Sequence, residues 1–344
     1  MRPNAVWSLC CLLIMAIFNL ACNSKRWVFG NEVTFSGMCD ASGAVPISDS
    51  SFAIADDEQN ILHVYDAKKG GAPLHSYDLS RILKMPLRPP KKLGKPPKPP
   101  AELDIEAAAI IGDTAYWITS HGLSSSGKRK AARLYFFATK IDQEKKKLSL
   151  VGSPYFGLLD ALIGDKRFVS FQLDKAVTIA PKSPGGLNIE GMAAGKNGVL
   201  WIGFRNPIPG GKALLFTLKN PKAILYGAQP ELGNPLLLDL KDRGVRALSY
   251  WRGYQLIVAG TFDGRGVSTL YALQETDNQL RPVMNFDHAD FNPEAFFTPE
   301  SQDKMMIISD DGSVLVGGTP CKKLMDVRRQ HFRGRWIPFS SIAL

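Results

Sequence analysis

The chain has 344 residues, 45% of them hydrophobic, and 42 Lys and Arg against 32 Asp and Glu give it a formal charge of +10. That length and apolar content exclude a disordered tail or a small disulfide-stapled scaffold, and leave one large domain or two average ones. With 31 Gly and 23 Pro, the composition suits many short strands joined by turns.

Residues 1–22 read as an export signal. Arg2 supplies the positive end, and the apolar run over residues 6–20, broken by Ser8 and Asn19, is short for a membrane span and fits a secretory segment. Ala21 and Cys22 resemble the end of a bacterial lipoprotein signal, which makes Cys22 the expected lipidation site; the alternative is cleavage just beyond it. The protein is expected in the periplasm or cell envelope, as a monomer that touches a membrane only through lipid on Cys22. For an exported basic chain the expected partners are small anions or an anionic envelope component, not nucleic acid. Cys10, Cys11 and Cys22 belong to the leader, so Cys39 and Cys321 remain. An oxidising compartment permits a disulfide between them; the alternative is two separate buried thiols.

Residues 26–344 read as one domain built on a repeat. Each unit opens on a short polar-apolar-polar segment, followed by a turn and two apolar strands. The first opens with Met38, Cys39 and Asp40, the second with Asp104, Ile105 and Glu106, the third with Asn188, Ile189 and Glu190. The fourth opens with Gly244, Val245 and Arg246, putting Arg where others have Glu, and the fifth with Asn292, Pro293 and Glu294. In the fifth unit the third strand is expected at residues 314–316. Apolar stretches at 74–79, 147–151, 236–240 and 282–286 supply a fourth strand to the first four units. Four antiparallel strands per repeated unit predict an all-β fold, a single β-propeller of five blades. A sixth blade would have to lie between residues 153 and 184, where the pattern is weak. A β-sandwich is the competing architecture, but sandwich strands lack a fixed four-strand unit. The strand-like ends, 26–35 and 335–342, are expected to share the last blade and close the ring.

Between the first two units, residues 83–100 are rich in Pro and Lys and are expected to form a solvated loop outside the sheets. They also offer an electrostatic arm for an anionic surface. Interleaved aromatics are too few for a nucleic-acid platform.

In a propeller the first strand of each blade lines the axis, so the opening segments converge there. Asp104 and Glu106 share a strand face, as do Asn188 and Glu190. Glu106, Glu190 and Glu294, with Asp40 and Asp104, would repel one another unless neutralised by a hard cation such as Ca²⁺, by Arg246, or by protonation. Alternatively these groups pair with neighbouring blades and hold the ring in register. Arg205 and Arg246, with Asn188 and Asn206, are the candidate holders of a phosphate or carboxylate. His121 is the candidate acid or base. No nucleophile elbow, zinc-protease helix, phosphate loop or dinucleotide fingerprint is present.

Taken together, several segments resemble the bacterial family known as domain of unknown function 3616. They are residues 35–42, 55–58, 104–106, 117–122, 187–191, 203–207 and 292–295. That resemblance implies the fold and no particular activity. A looser similarity, to esterase-like propellers related to phytases, implies a calcium-supported phosphoester or ester hydrolase. Arg246 and the Cys39–Asp40 pair depart from that pattern. Two functions are therefore expected to compete: a small-anion site on the axis with hydrolysis of a phosphoester, and a non-catalytic envelope scaffold.

Overall fold

In the computed structural model, residues 30–341 are described except Asp57, Leu93, Ser125, Gln143 and Asp277. The expected export signal and Cys22 lie outside the described residues. The described residues open with strand β1 (Glu32–Ser36) and then make four four-stranded antiparallel sheets in succession. The first holds β2 (Ala41–Pro46), β3 (Ser51–Asp56), β4 (Ile61–Asp66) and β5 (His75–Asp78). The second holds β6 (Ile105–Ile111), β7 (Thr114–Thr119), β8 (Phe136–Asp142) and β9 (Lys147–Tyr155). The third holds β10 (Asn188–Ala194), β11 (Leu200–Asn206), β12 (Ala213–Leu218) and β13 (Leu236–Leu238). The fourth holds β14 (Gly244–Trp251), β15 (Tyr254–Gly260), β16 (Val267–Gln274) and β17 (Leu280–Asp287). The fifth starts with β18 (Pro293–Phe297) and β19 (Lys304–Ser309), passes a small ribbon of β20 (Leu315–Val316) and β21 (Thr319–Pro320), and resumes with β22 (His331–Pro338). Strand β1 completes that sheet by pairing with β22, Glu32 opposite Arg335 and Ser36 opposite His331.

The molecule is thus a five-bladed β-propeller closed by its own N-terminal strand. A closed ring leaves no sheet edge at the seam. Five buried apolar clusters fill it, one at each contact between neighbouring blades. Trp117 and Phe137 fill the first of these, Phe136 and Phe204 the second, and Phe35, Phe52 and Phe332 the seam. Disulfide Cys39–Cys321 ties the two ends of the ring, with Cα atoms 5.9 Å apart.

The five-blade expectation holds over the six-blade alternative, and one other expectation is corrected. Residues 153–184 make no sixth blade; they form the helix Leu158–Gly164, a 3-10 turn at Lys166–Phe171 and the helix Leu173–Ala176. Leu158, Leu162, Phe168 and Leu173 of this insertion are buried against the second and third blades, so it extends an existing core. The third strand of the fifth blade is β22, not residues 314–316. Its alternation puts Phe332 and Trp336 inside, while Arg333 and Arg335 carry the polar positions.

An antiparallel meander fixes where the connections lie. The turns from first to second strand and from third to fourth fall on one face of the ring. The connections from second to third strand and from blade to blade fall on the other. The insertions at 79–104, 120–135, 156–187 and 310–330 are all of the latter kind, while the other face carries one long connection, 219–235 between β12 and β13, with the short helix Pro221–Ile224.

Candidate functional site

Every innermost strand carries a β-bulge at the same place. The ladder of β6 with β7 skips Glu106, that of β10 with β11 skips Glu190, that of β14 with β15 skips Arg246, and that of β18 with β19 skips Glu294. In β2 the skipped residue is Gly43. A bulge re-aims one side chain and increases local twist. Around the ring the bulged positions therefore read Gly43, Glu106, Glu190, Arg246, Glu294. The blade-1 position has no side chain, and its two neighbours in the ring, Glu106 and Glu294, are both acidic.

Glu106, Glu190 and Glu294 converge, with one oxygen of each within 4.8 Å of the others. Glu190 accepts from Arg205 Nη1 and, at 2.6 Å, from Asn188 Nδ2. Arg246 donates to Glu294, places Nε 3.9 Å from the second oxygen of Glu190, and bonds Asn292 Oδ1 at 3.0 Å. Arg205 Nε also reaches the Thr261 carbonyl at 3.1 Å, so it ties the third blade to the fourth. Both guanidinium groups are 3% exposed. Burial and the nearby Arg205 hold Arg246 down at about 10. Burial alone would also lower Arg205, but Glu190 more than offsets it and the net shift is upward. Three carboxylates against two guanidiniums leave the cluster with one negative charge in excess when all five are ionised.

The expected site residues divide accordingly. Arg246 neutralises, as one of the three sequence-based options required, and Arg205 joins it. Both guanidiniums are buried and bonded within the cluster and to its neighbours, Arg205 to Glu190 and the Thr261 carbonyl, Arg246 to Glu294 and Asn292. Asn206 is likewise committed, its amide donating to the carbonyls of Pro181 and Ser183 at 2.9 and 2.6 Å. Asp104 pairs with Arg133 at 2.6 Å, and burial still holds it up at about 6. Asp40 lies outside the triad, because the bulge register puts Gly43 at the fifth axial position. It sits instead beside Lys322, 3.4 Å away, and near Asp310, Glu58 and Asp56. His121 is buried, with a left-handed backbone at φ 58°. Its Nδ1 lies 2.7 Å from the Thr119 carbonyl and its Nε2 has no hydrogen-bond partner. Burial lowers it to about 4, so it is a neutral imidazole at pH 7. Sequence reasoning missed the funnel below the triad and the role of Gly43.

That funnel, of 650 Å³, opens on the face with the first-to-second-strand turns and is lined by the innermost strands of all five blades, among them Ala44, Ala108, Met192, Leu248 and Phe296. At its narrow end a neck of only 10 Å³ touches Gly43, Glu106, Glu190 and Glu294. Such a neck has room for one water or one bare ion. Two oxygens bound to one Ca²⁺ stand at most about 5 Å apart, so the spacing of the triad fits a single ion.

No protein-family model matches the chain, and no curated protein matches it. Solved structures similar to it include the PQQ-bound aldose sugar dehydrogenase of Streptomyces coelicolor, at 12% identity and TM-score 0.43, over 90% of this chain and 98% of that one. Virginiamycin B lyase of Staphylococcus aureus gives 7% and 0.40, over 89% and 98%. A β-propeller domain from Myceliophteria thermophila gives 7% and 0.39, over 90% and 98%.

Proposed function

We propose that the protein holds one divalent cation, calcium, between Glu106, Glu190 and Glu294 and binds a small anionic ligand in the funnel through it. The observation that carries this reading is the convergence of the three carboxylates within 4.8 Å at a neck sized for one ion. Arg205 and Arg246 occupy oxygens of Glu190 and Glu294, so the protein supplies few of the six to eight oxygens that calcium takes. The remaining positions face the funnel, where water or a ligand oxygen completes them. The anion is then held by the cation, and the two arginines position the carboxylates. A cation placed this way would polarise a phosphoryl or carbonyl oxygen, which makes ester or phosphoester hydrolysis the reaction class to test. The Cys39–Cys321 bridge supports an oxidising compartment, and we place the protein outside the cytoplasm. No helix among the described residues is long and apolar enough to cross a membrane.

One observation favours a non-catalytic reading: His121 is neutral and sealed in the protein, so it supplies no solvent-linked acid. Elemental mass spectrometry and calorimetry on the purified chain, beside Glu106→Gln, separate the cases. About one calcium per chain, lost in the variant, supports the axial site. No calcium or magnesium binding in either protein rules it out. Release of p-nitrophenol from model phosphates by the loaded protein alone would add catalysis, and its absence with calcium bound would leave a binding protein.

A further inference from the structure

The connection from β5 to β6 leaves the ring on the face away from the funnel mouth. It folds into a narrow hairpin. Arg88 and Lys98 exchange backbone hydrogen bonds at 3.0 and 2.9 Å, and a turn closes from the Lys95 amide to the Lys92 carbonyl. Pro86, Pro89 and Pro90 stiffen one leg, and Pro96, Pro97, Pro99 and Pro100 the other. Buried Asn60 clamps the base: its amide nitrogen donates to Ala101 O at 2.8 Å and to Ser80 Oγ at 3.2 Å, and its oxygen accepts from the Leu103 amide at 2.7 Å. The hairpin is therefore a fixed projection, and little chain entropy is lost when it binds something.

Its charge is one-sided. Residues 83–100 contain Lys84, Arg88, Lys91, Lys92, Lys95 and Lys98 and no acidic residue. Elsewhere many surface cations find a carboxylate: Arg129 with Asp160, Lys140 with Asp113, Arg167 with Asp165, Arg252 with Asp303. Among the described residues none of the six hairpin cations forms an ion pair, and all but Lys98 are exposed, Arg88 with its Nε donating to the Pro99 carbonyl at 2.8 Å. Arg88 and Lys98 are moreover directly opposite on an antiparallel bridge. Like charges at such a pair destabilise it. An anion between the two legs relieves that repulsion and gives the tip lysines their missing partners.

We infer that this hairpin is a binding site for a linear polyanion, whose closely spaced charges run from the Arg88–Lys98 neck to the Lys91, Lys92 and Lys95 tip. The inference is independent of the axial cation.

The test uses the full chain and fluorescein-labelled polyphosphate, followed by anisotropy from 25 to 300 mM salt, with polygalacturonate as the carboxylate polymer. The arm variant carries Arg88→Gln, Lys91→Gln, Lys92→Gln, Lys95→Gln and Lys98→Gln. A charge-matched variant carries Lys68→Gln, Lys69→Gln, Lys145→Gln, Lys146→Gln and Lys147→Gln, on turns of the opposite face. The arm variant is expected to bind at least tenfold more weakly, with unchanged melting, and the slope of log affinity against log salt should fall by about 3. The charge-matched variant should keep the affinity to within a factor of two or three. Equal losses in both variants would overturn the site, because net charge alone then explains binding. Capture by phosphatidylglycerol vesicles without polymer binding would also overturn it, in favour of a membrane surface. Binding of polyphosphate but not polygalacturonate supports it and assigns phosphate as the anion; comparable binding of both supports a site that reads charge density only.

Discussion

Arg246 of the fourth blade is bonded to Glu294 of the fifth at equivalent bulges of adjacent innermost strands, with side chains 3% and 12% exposed. A largely buried ion pair of this kind costs more to break than to replace. Glu294→Gln leaves Arg246 without its full counter-charge and is expected to cost about 3 kcal/mol in urea unfolding. Adding Arg246→Met to that variant should recover part of the loss. A cost below about 1 kcal/mol for the single variant would mean that Glu190 alone suffices for Arg246.

Gly43 is the one bulged axial residue without a side chain. Its φ is +41°, and a Cβ there would lie 2.9 Å from the Ala107 carbonyl carbon, a backbone atom of the next blade. Gly43→Ala is expected to destabilise by about 1–3 kcal/mol through strain and overpacking. Differential scanning calorimetry checks it, and an unchanged melting temperature would show that the first and second blades separate readily.

Burial holds Asp56 up at about 7, far above its ordinary value, although it accepts the amides of Glu58 and Gln59. A carboxyl raised on folding contributes stability that is fully present below about pH 4, where it is protonated in both states. That contribution is lost as pH rises through 7. Asp56→Asn keeps the amide acceptor and removes the titration. Its stability relative to the parent should be near equal at pH 4 and should become more favourable by pH 8. A difference that does not vary with pH would contradict the assignment.

The Cys39–Cys321 bridge spans 282 residues but joins ends that β1 and β22 already hold together. The double change Cys39→Ser and Cys321→Ser should therefore lower stability by about 2–4 kcal/mol, at the ordinary value and below what so long a loop alone suggests. It should leave the strand content by circular dichroism intact. Loss of folding would show that strand pairing does not close the ring unaided.

Much of this architecture is legible in the residues, because a blade repeats and repetition is visible in one chain. Asp104-x-Glu106, Asn188-x-Glu190 and Asn292-x-Glu294 mark the axis, and the spacing between them marks the blades. The bulge register is not legible. It depends on how far each innermost strand slides against its neighbour, and Gly43 rather than Asp40 occupies the fifth position for that reason. Arg205 carries an anion-binding signal in sequence, yet its burial beside Glu190 is a tertiary fact. The fifth blade misleads because Leu315 and Val316 are apolar, while β22 alternates Phe332 and Trp336 with arginines.

Gly30 donates to the Trp336 carbonyl, and Phe339 stacks on Trp251 at the funnel rim with ring centroids 3.5 Å apart. Both ends of the described chain thus leave the ring on the funnel side. A tether attached at the ring itself, beside Gly30 or Phe339, would hold the molecule on a support with the cationic hairpin presented to solution and the funnel turned toward the surface. Immobilised protein is suited to measuring polymer capture, whereas ligand entry into the funnel is better followed with the chain free in solution.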